Sequence, residues 1–126
     1  MDYLPFGLVV CDTNDLKKIN DSQGHVAGDE YIKQSAKLLC NIFVHSPVFR
    51  IGGDEFIVFL RGSDYSNKET LMKTLQDQVW ENKKSNSGPV LASGMAEFTP
   101  GKDNMITQIF DRADKAMYKN KRDLKK

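Results

Sequence analysis

Three acidic residues in this chain have the types and the spacing to hold a metal ion. Asp12 closes the apolar run Phe6-Gly7-Leu8-Val9-Val10-Cys11, while Asp54 and Glu55 follow Gly52-Gly53 between two short β-prone runs. A tight turn needs one Asp or Asn beside glycine at its tip, so the second carboxylate is surplus to folding. Carboxylates drawn together raise one another's pKa unless a cation sits between them. Hard oxygen ligands of this kind suit Mg²⁺, which keeps several waters and completes its shell with substrate phosphates. Taken singly, Asp54 reads as a turn former, Glu55 as a surface charge and Asp12 as a helix cap. Taken together, they point to phosphate chemistry.

The elements that must position them follow from pattern. Continuous apolarity over Phe6–Cys11 predicts a strand covered on both faces, hence a central one, with Asp12 at its C-terminal edge. Val48-Phe49-Arg50-Ile51 and Phe56-Ile57-Val58-Phe59-Leu60 predict a β-hairpin, with the glycine pair at positive φ in its turn. If the hairpin lies beside the first strand, the carboxylates converge. Thr13 to Asp21 reads as a strand-to-helix turn whose free N–H groups suit an anion. A helix then runs from Val26 to about Val44 with Ile32, Ala36, Leu39 and Phe43 on one stripe, and Asp29 in its first turn. Arg61 to Tyr65 reads as a loop, and Ser66-Asn67-Lys68-Glu69 as a capping box opening a helix through Leu71, Met72, Leu75 and Val79. Val90 to Phe98 predicts a strand in which Gly94 marks a close backbone contact. Ile106, Ile109, Phe110, Ala113 and Met117 line a last helix. The order implies an α+β fold, a ferredoxin-like palm with a βαββαβ core and a mainly antiparallel sheet flanked by helices.

At 126 residues, with 40% hydrophobic and 28% charged content, the chain fits one soluble domain, 1–126. A net charge of +1 gives no general field for nucleic acid or anionic membrane. Lys119, Lys121, Arg122, Lys125 and Lys126 crowd the C-terminus, which reads as a solvated helix end with a phosphate role in reserve. No run approaches a membrane span and no signal peptide opens the chain, so the cytoplasm is the expected compartment and no membrane contact is foreseen. Cys11 and Cys40 read as small buried hydrophobes, and His25 and His45 lack metal spacing. The abrupt start on a central strand suggests a piece of a longer, multidomain signalling protein.

Across nearly its whole length the sequence resembles the GGDEF family of diguanylate cyclases. Arg50-Ile51-Gly52-Gly53-Asp54-Glu55-Phe56 carries the signature, and Asp12 to Asp21 is similar to the family's Asp-x-Asp-x-Phe-Lys-x-Ile-Asn-Asp. Gly24-His25-x-x-Gly28-Asp29-Glu30 and Ala113-Asp114-x-Ala116-Met117-Tyr118-x-x-Lys121 match two further motifs. The resemblance implies that two GTP condense into cyclic di-GMP and two pyrophosphates where two domains face each other in a transient homodimer, with Mg²⁺ (or Mn²⁺) as cofactor and an upstream sensor domain as partner. It implies that Asp12, Asp54 and the Thr13 carbonyl hold the metal. Glu55 would bind a second metal or act as the base, Asn20 and Asp29 would read guanine, and Lys17, Lys121 and Lys125 would steady phosphates. A GTP-binding regulatory module without turnover is the alternative. A cyclase making mixed products is disfavoured by Asp29.

Four departures bear on these roles. Asn14 replaces the second Asp of the first motif, and Leu16 its aromatic residue. Phe43-Val44-His45-Ser46 stands where many members carry an inhibitory Arg-x-x-Asp, so product inhibition there is not expected. Leu124 and Lys125 replace the closing Gly-Arg, which puts a lysine at one phosphate contact. The helix that usually precedes the first strand is not in this sequence.

Overall fold

The computed structural model describes residues 4–13 and 15–125, and in it the apolar run ending at Asp12 is strand β1, Phe6–Thr13. Its residues from Gly7 onward are all buried. The sheet order is β2-β3-β1-β4, with β2 at Val48–Arg50, β3 at Glu55–Arg61 and β4 at Leu91–Glu97. Every pairing is antiparallel. Helices α1 (Leu16–Gln23) and α2 (His25–Ile42) join β1 to β2, while α3 (Gly62–Ser66) and α4 (Lys68–Ser85) join β3 to β4. Helix α5 (Ile106–Leu124) follows β4. This is the expected βαββαβ palm, an antiparallel sheet flanked by helices, with β1 central as its unbroken apolarity requires.

The two faces of the sheet are covered unequally. Phe56, Val58 and Leu60 alternate with half-buried Glu55, Ile57 and Phe59 along β3, so the first set faces the main core. That core also holds Ile32 and Leu39 from α2, Phe43 at its C-cap, and Met72, Leu75 and Val79 from α4. Directly opposite partners share a face, so Asp12, Val10 and Leu8 lie on the side of Glu55, Ile57 and Phe59. Helix α5 lies on this second side, because Lys121 reaches Asp12. It packs on β4 and β1, and β3 with β2 stay partly open: Phe49, the cross-strand partner of Ile57, is 53% exposed. At Gly94 of β4 a Cβ would meet Met117 N at 2.2 Å and Ala113 O at 2.3 Å, the close approach expected there.

Several local expectations give way to tertiary context. Arg61–Tyr65 is not a loop: Gly62 at φ 59° starts the short helix α3. The Ser66 capping box does not form, because Asn67 is the N-cap of α4 without a side-chain cap bond and the Ser66 hydroxyl donates to the Gly62 carbonyl. Helix α2 begins one residue earlier than expected, which puts Asp29 beyond its first turn. Cys40 is exposed, on the outer side of α2, and only Cys11 is buried. Ile106, the first residue of α5, is 56% exposed and does not join the buried stripe of Ile109, Ala113 and Met117. Asn14 lies outside the described residues.

Candidate active site

The acidic corner is built by main-chain pairing. Asp12 and Glu55 are direct partners in the β1–β3 register. One residue on, the Thr13 amide donates to the Asp54 carbonyl at 2.8 Å, and the Thr13 hydroxyl donates to the same oxygen at 3.1 Å. The other limb is closed by the Ile51 amide on the Glu55 carbonyl, 3.0 Å. Arg50, from β2, donates Nε to the Gly52 and Gly53 carbonyls at 3.2 Å each and Nη2 to Gly53 at 2.6 Å. The guanidinium therefore fixes the turn from inside.

The turn's glycines do not serve the purpose that their sequence suggests. The described glycines with positive φ are Gly24, Gly62, Gly88 and Gly101, so Gly52 and Gly53 do not need glycine's left-handed freedom. A Cβ at Gly53 would meet nothing within 4 Å, and one at Gly52 only the Glu55 side chain at 3.8 Å. What their bareness provides is open space beside the carboxylates, where a ligand can approach the backbone closely.

The electrostatics are those of a crowded acidic site. Asp12 is only 7% exposed, and burial pushes its carboxyl above the usual range. Lys121 partly offsets this, its Nζ donating to Asp12 Oδ2 at 2.9 Å, while Asp54 adds to the rise. Glu55 is raised too, by burial first and then by Asp12, Asp54 and Asp114. Lys121 is raised chiefly by its bond to Asp12. Asp114, three residues before Met117 on α5, is a member of this field that motif spacing alone did not place.

The donor set fits a hard divalent cation. Asp12 Oδ1 is buried and has no hydrogen-bond partner, the orphaned acceptor that a cation would satisfy. Among the described residues no three His, Cys, Asp or Glu side chains gather closely enough to hold a metal by themselves. The set therefore suits an ion that takes most of its ligands from water, backbone and substrate oxygens, as Mg²⁺ does.

Beside this corner lies an open cleft between α1 and the hairpin turn, lined by Leu16, Lys17, Asn20, His25, Gly53 and Asp54. Asn20 is held against Gly28 of α2, where a Cβ would fall 1.7 Å from the Asn20 Oδ1. Asp15 caps α1 in the left-handed region, φ 65°, without a side-chain cap bond. Of the expected contacts, Lys17, Asn20 and Asp54 share this cleft. Asp29 is exposed on α2 just after Gly28 and does not line it. Lys121 sits on Asp12. Lys125 opens instead onto a cavity of about 450 Å³ behind α1, with Lys18, Tyr31, Lys83 and Val90. The roles of Gly28 and Arg50 in shaping the site emerge only from the fold.

The fold is thus an antiparallel palm whose central strand and neighbouring hairpin bring acidic residues to one corner. Comparison with known proteins narrows this: the family described as "Diguanylate cyclase, GGDEF domain" matches residues 2–126, and the chain belongs to the GGDEF family. It is 31% identical over 121 residues to a diguanylate cyclase of Vibrio cholerae, covering 94% of this chain and 37% of that protein. It is 33% identical over 126 residues to the diguanylate cyclase DosC of Escherichia coli K12, covering 94% of this chain and 26% of that one. The solved structure of the active GGEEF domain of a diguanylate cyclase from Vibrio cholerae superposes with a TM-score of 0.80 at 31% identity, over 95% of this chain and 78% of that one. The chain thus spans well under half the length of these curated relatives. Among the described residues no helix is long and apolar enough to cross a membrane.

Proposed function

We propose that this chain is a diguanylate cyclase domain, acting in the cytoplasm under an upstream sensor domain, that makes cyclic di-GMP from two GTP where two copies meet. The observation that carries the reading is the buried Asp12 in register with Glu55, its Oδ1 without a partner, beside a cleft shared by Asn20, Lys17 and Asp54. Asp12 and Asp54 hold Mg²⁺ or Mn²⁺, with the Thr13 carbonyl as a further ligand. When bound, the ion neutralises phosphate charge and polarises the α-phosphate.

The chain's own groups bind and orient. Asn20 and Asp29 recognise the guanine edge, Asp29 accepting from the ring N–H and the amino group; adenine would leave that carboxylate unpaired, at a cost of roughly 1–3 kcal/mol. The turn at Asp15 to Lys17 and the Lys121 side chain steady the terminal phosphates, while Lys125, expected beside them, opens onto the cavity behind α1. The 3′-hydroxyl of one GTP attacks the α-phosphate of the other: the O3′–Pα bond forms, the bond from Pα to the bridging oxygen breaks, and pyrophosphate leaves with the electron pair. Glu55 takes the hydroxyl proton or holds a second metal. With the roles exchanged, the 3′-hydroxyl of the second nucleotide attacks the α-phosphate of the first, a second O3′–Pα bond forms as the bond from that Pα to its bridging oxygen breaks, and a second pyrophosphate leaves as the ring closes. Since each domain carries one GTP, positioning across the pair supplies much of the rate.

The test is to fuse the domain to a dimerising coiled coil, add GTP and Mg²⁺, and separate nucleotides by chromatography. Cyclic di-GMP and pyrophosphate are expected; their absence from both the fused and the full-length protein would sink the reading. The position of Lys125 away from the cleft favours a second reading, a module that binds GTP and regulates a neighbour without turnover. Tight GTP binding with unchanged signalling in Asp54→Asn would select it.

A further inference from the structure

Two buried carboxylates in this fold are paired with cations, and the pairs differ in kind. Asp103 is satisfied completely: Arg112 Nη1 donates to Oδ1 at 2.7 Å and Nη2 to Oδ2 at 2.8 Å, and the Thr99 amide adds a bond to Oδ2 at 2.8 Å. That is a structural bridge with both carboxylate oxygens bonded. Asp12 has one partner on one oxygen, Lys121 Nζ at 2.9 Å from Oδ2, while Oδ1 is buried and empty-handed. An ammonium is a compact point charge on a flexible stem, so it neutralises without filling the geometry. The Lys121 side chain keeps 27% of its surface exposed and stands 5.9 Å from the Tyr118 ring, so its head has an outward path.

We propose that Lys121 is a placeholder cation: it neutralises Asp12 in the empty domain and leaves when a divalent ion arrives, so that metal and nucleotide load as one coupled event. The inference deepens the cyclase reading and rests on Asp12 being a metal ligand. A buried carboxylate left alone is costly, which is why a resident charge is useful while the site is empty. A bare divalent ion on Oδ1 would stand beside the ammonium on Oδ2, and the repulsion between them drives Lys121 off without giving it a new partner. A nucleotide's phosphates give that ammonium a new anionic partner close by. Each ligand therefore raises the affinity for the other, and the coupling is reciprocal by linkage. Lys121 is thus a positioning residue that couples the loading of metal and nucleotide.

The experiment follows free Mn²⁺ by electron paramagnetic resonance against the whole chain, with and without α,β-methylene GTP, in wild type, Lys121→Met, Lys121→Arg and Asp12→Asn. Lys121→Met should bind Mn²⁺ alone more tightly, on the order of tenfold, because Asp12 is then free at all times. The same variant should bind the nucleotide more weakly, and the gain in Mn²⁺ affinity on adding nucleotide should shrink about tenfold. Lys121→Arg should restore weak binding of Mn²⁺ alone. A merely structural bridge predicts one sign for both ligands, namely looser binding of each. If Mn²⁺ with nucleotide depends on Asp12, yet Lys121→Met binds Mn²⁺ alone no better than wild type, the placeholder role is overturned and the metal site stands. If no Mn²⁺ binding depends on Asp12 in any variant, the metal site and the inference fall together.

Discussion

At the scale of single residues, Gly28 and Thr13 show how small groups govern the acidic site. A Cβ at position 28 would overlap only the tip of the Asn20 side chain, which can rotate away, so Gly28→Ala should fold with nearly unchanged stability. Rotation takes the carboxamide out of the cleft, and GTP affinity should fall roughly tenfold, a lost hydrogen bond to a buried edge. Calorimetric titration with α,β-methylene GTP checks the affinity, and thermal unfolding checks the stability. Thr13→Val removes the hydroxyl bond to the Asp54 carbonyl and should cost about 1 kcal/mol by urea unfolding. These roles were partly legible beforehand. Asp54 and Glu55 announced themselves because folding had no need of two adjacent carboxylates in a turn, and Asp12 because it closes a buried apolar run, whereas Asn20 stood out only through the family resemblance. The pairing of Lys121 with Asp12, across 109 positions of chain, did not, because it depends on where α5 crosses the sheet.

At the scale of elements, the seat of α5 on β4 decides whether the corner exists. Here a glycine faces backbone instead of a side-chain tip: a Cβ at Gly94 would lie 2.2 Å from Met117 N and 2.6 Å from Ala116 C. Gly94→Ala must push the helix off the strand, at a cost of roughly 3 kcal/mol or more, and should carry Lys121 away from Asp12; a fall in the unfolding midpoint together with altered Mn²⁺ binding is the expected pair of readings. The start of α5 is tied down by Asp103, whose carboxyl is held at about 2, against an ordinary 3.8, by Arg112 and the Thr99 amide. A depressed carboxyl stabilises the fold above its ordinary pKa and loses that contribution as pH falls through the depressed value. The stability difference between wild type and Asp103→Asn should therefore be full at neutral pH and shrink as pH drops from about 4 toward 2; a difference that grew on acidification would refute the assignment. Gly94 was legible as a contact point in a strand. The Arg112–Asp103 tie was not, since Asp103 lies between β4 and α5 in a stretch without periodicity, and the stripe of α5 marks its apolar positions but gives Arg112 no partner. The false reading of a capping box at Ser66 has a similar origin: α3 claims that serine's hydroxyl for its own turn.

At the scale of the whole molecule, a net charge of +1 gives no long-range pull on either GTP or a second copy, so association should rest on the local site and on partner concentration. Specific activity is expected to rise with protein concentration until dimers saturate, and adding Asp54→Asn to wild type should depress it by forming mixed pairs; a flat concentration series would exclude a site shared between copies. The palm topology was legible from the order of strand and helix patterns, because βαββαβ connections leave few ways to arrange a sheet. How α5 leaves the β3 and β2 side of one face partly open was not, since strand sequence records that Ile57 and Phe59 are apolar but not what lies above them.

The stitch between Thr13 and the Asp54 carbonyl makes the hairpin tip a measuring device. Ile51 is bonded to Glu55 on one side and Asp54 to Thr13 on the other, so the span from Ile51 to Glu55 is fixed at both ends like a gauge block. Substitutions within it alter what the site contains, but a single inserted residue would alter where everything stands. In a lineage of such domains, length across this tip should therefore be a better guide to retained geometry than the letters within it.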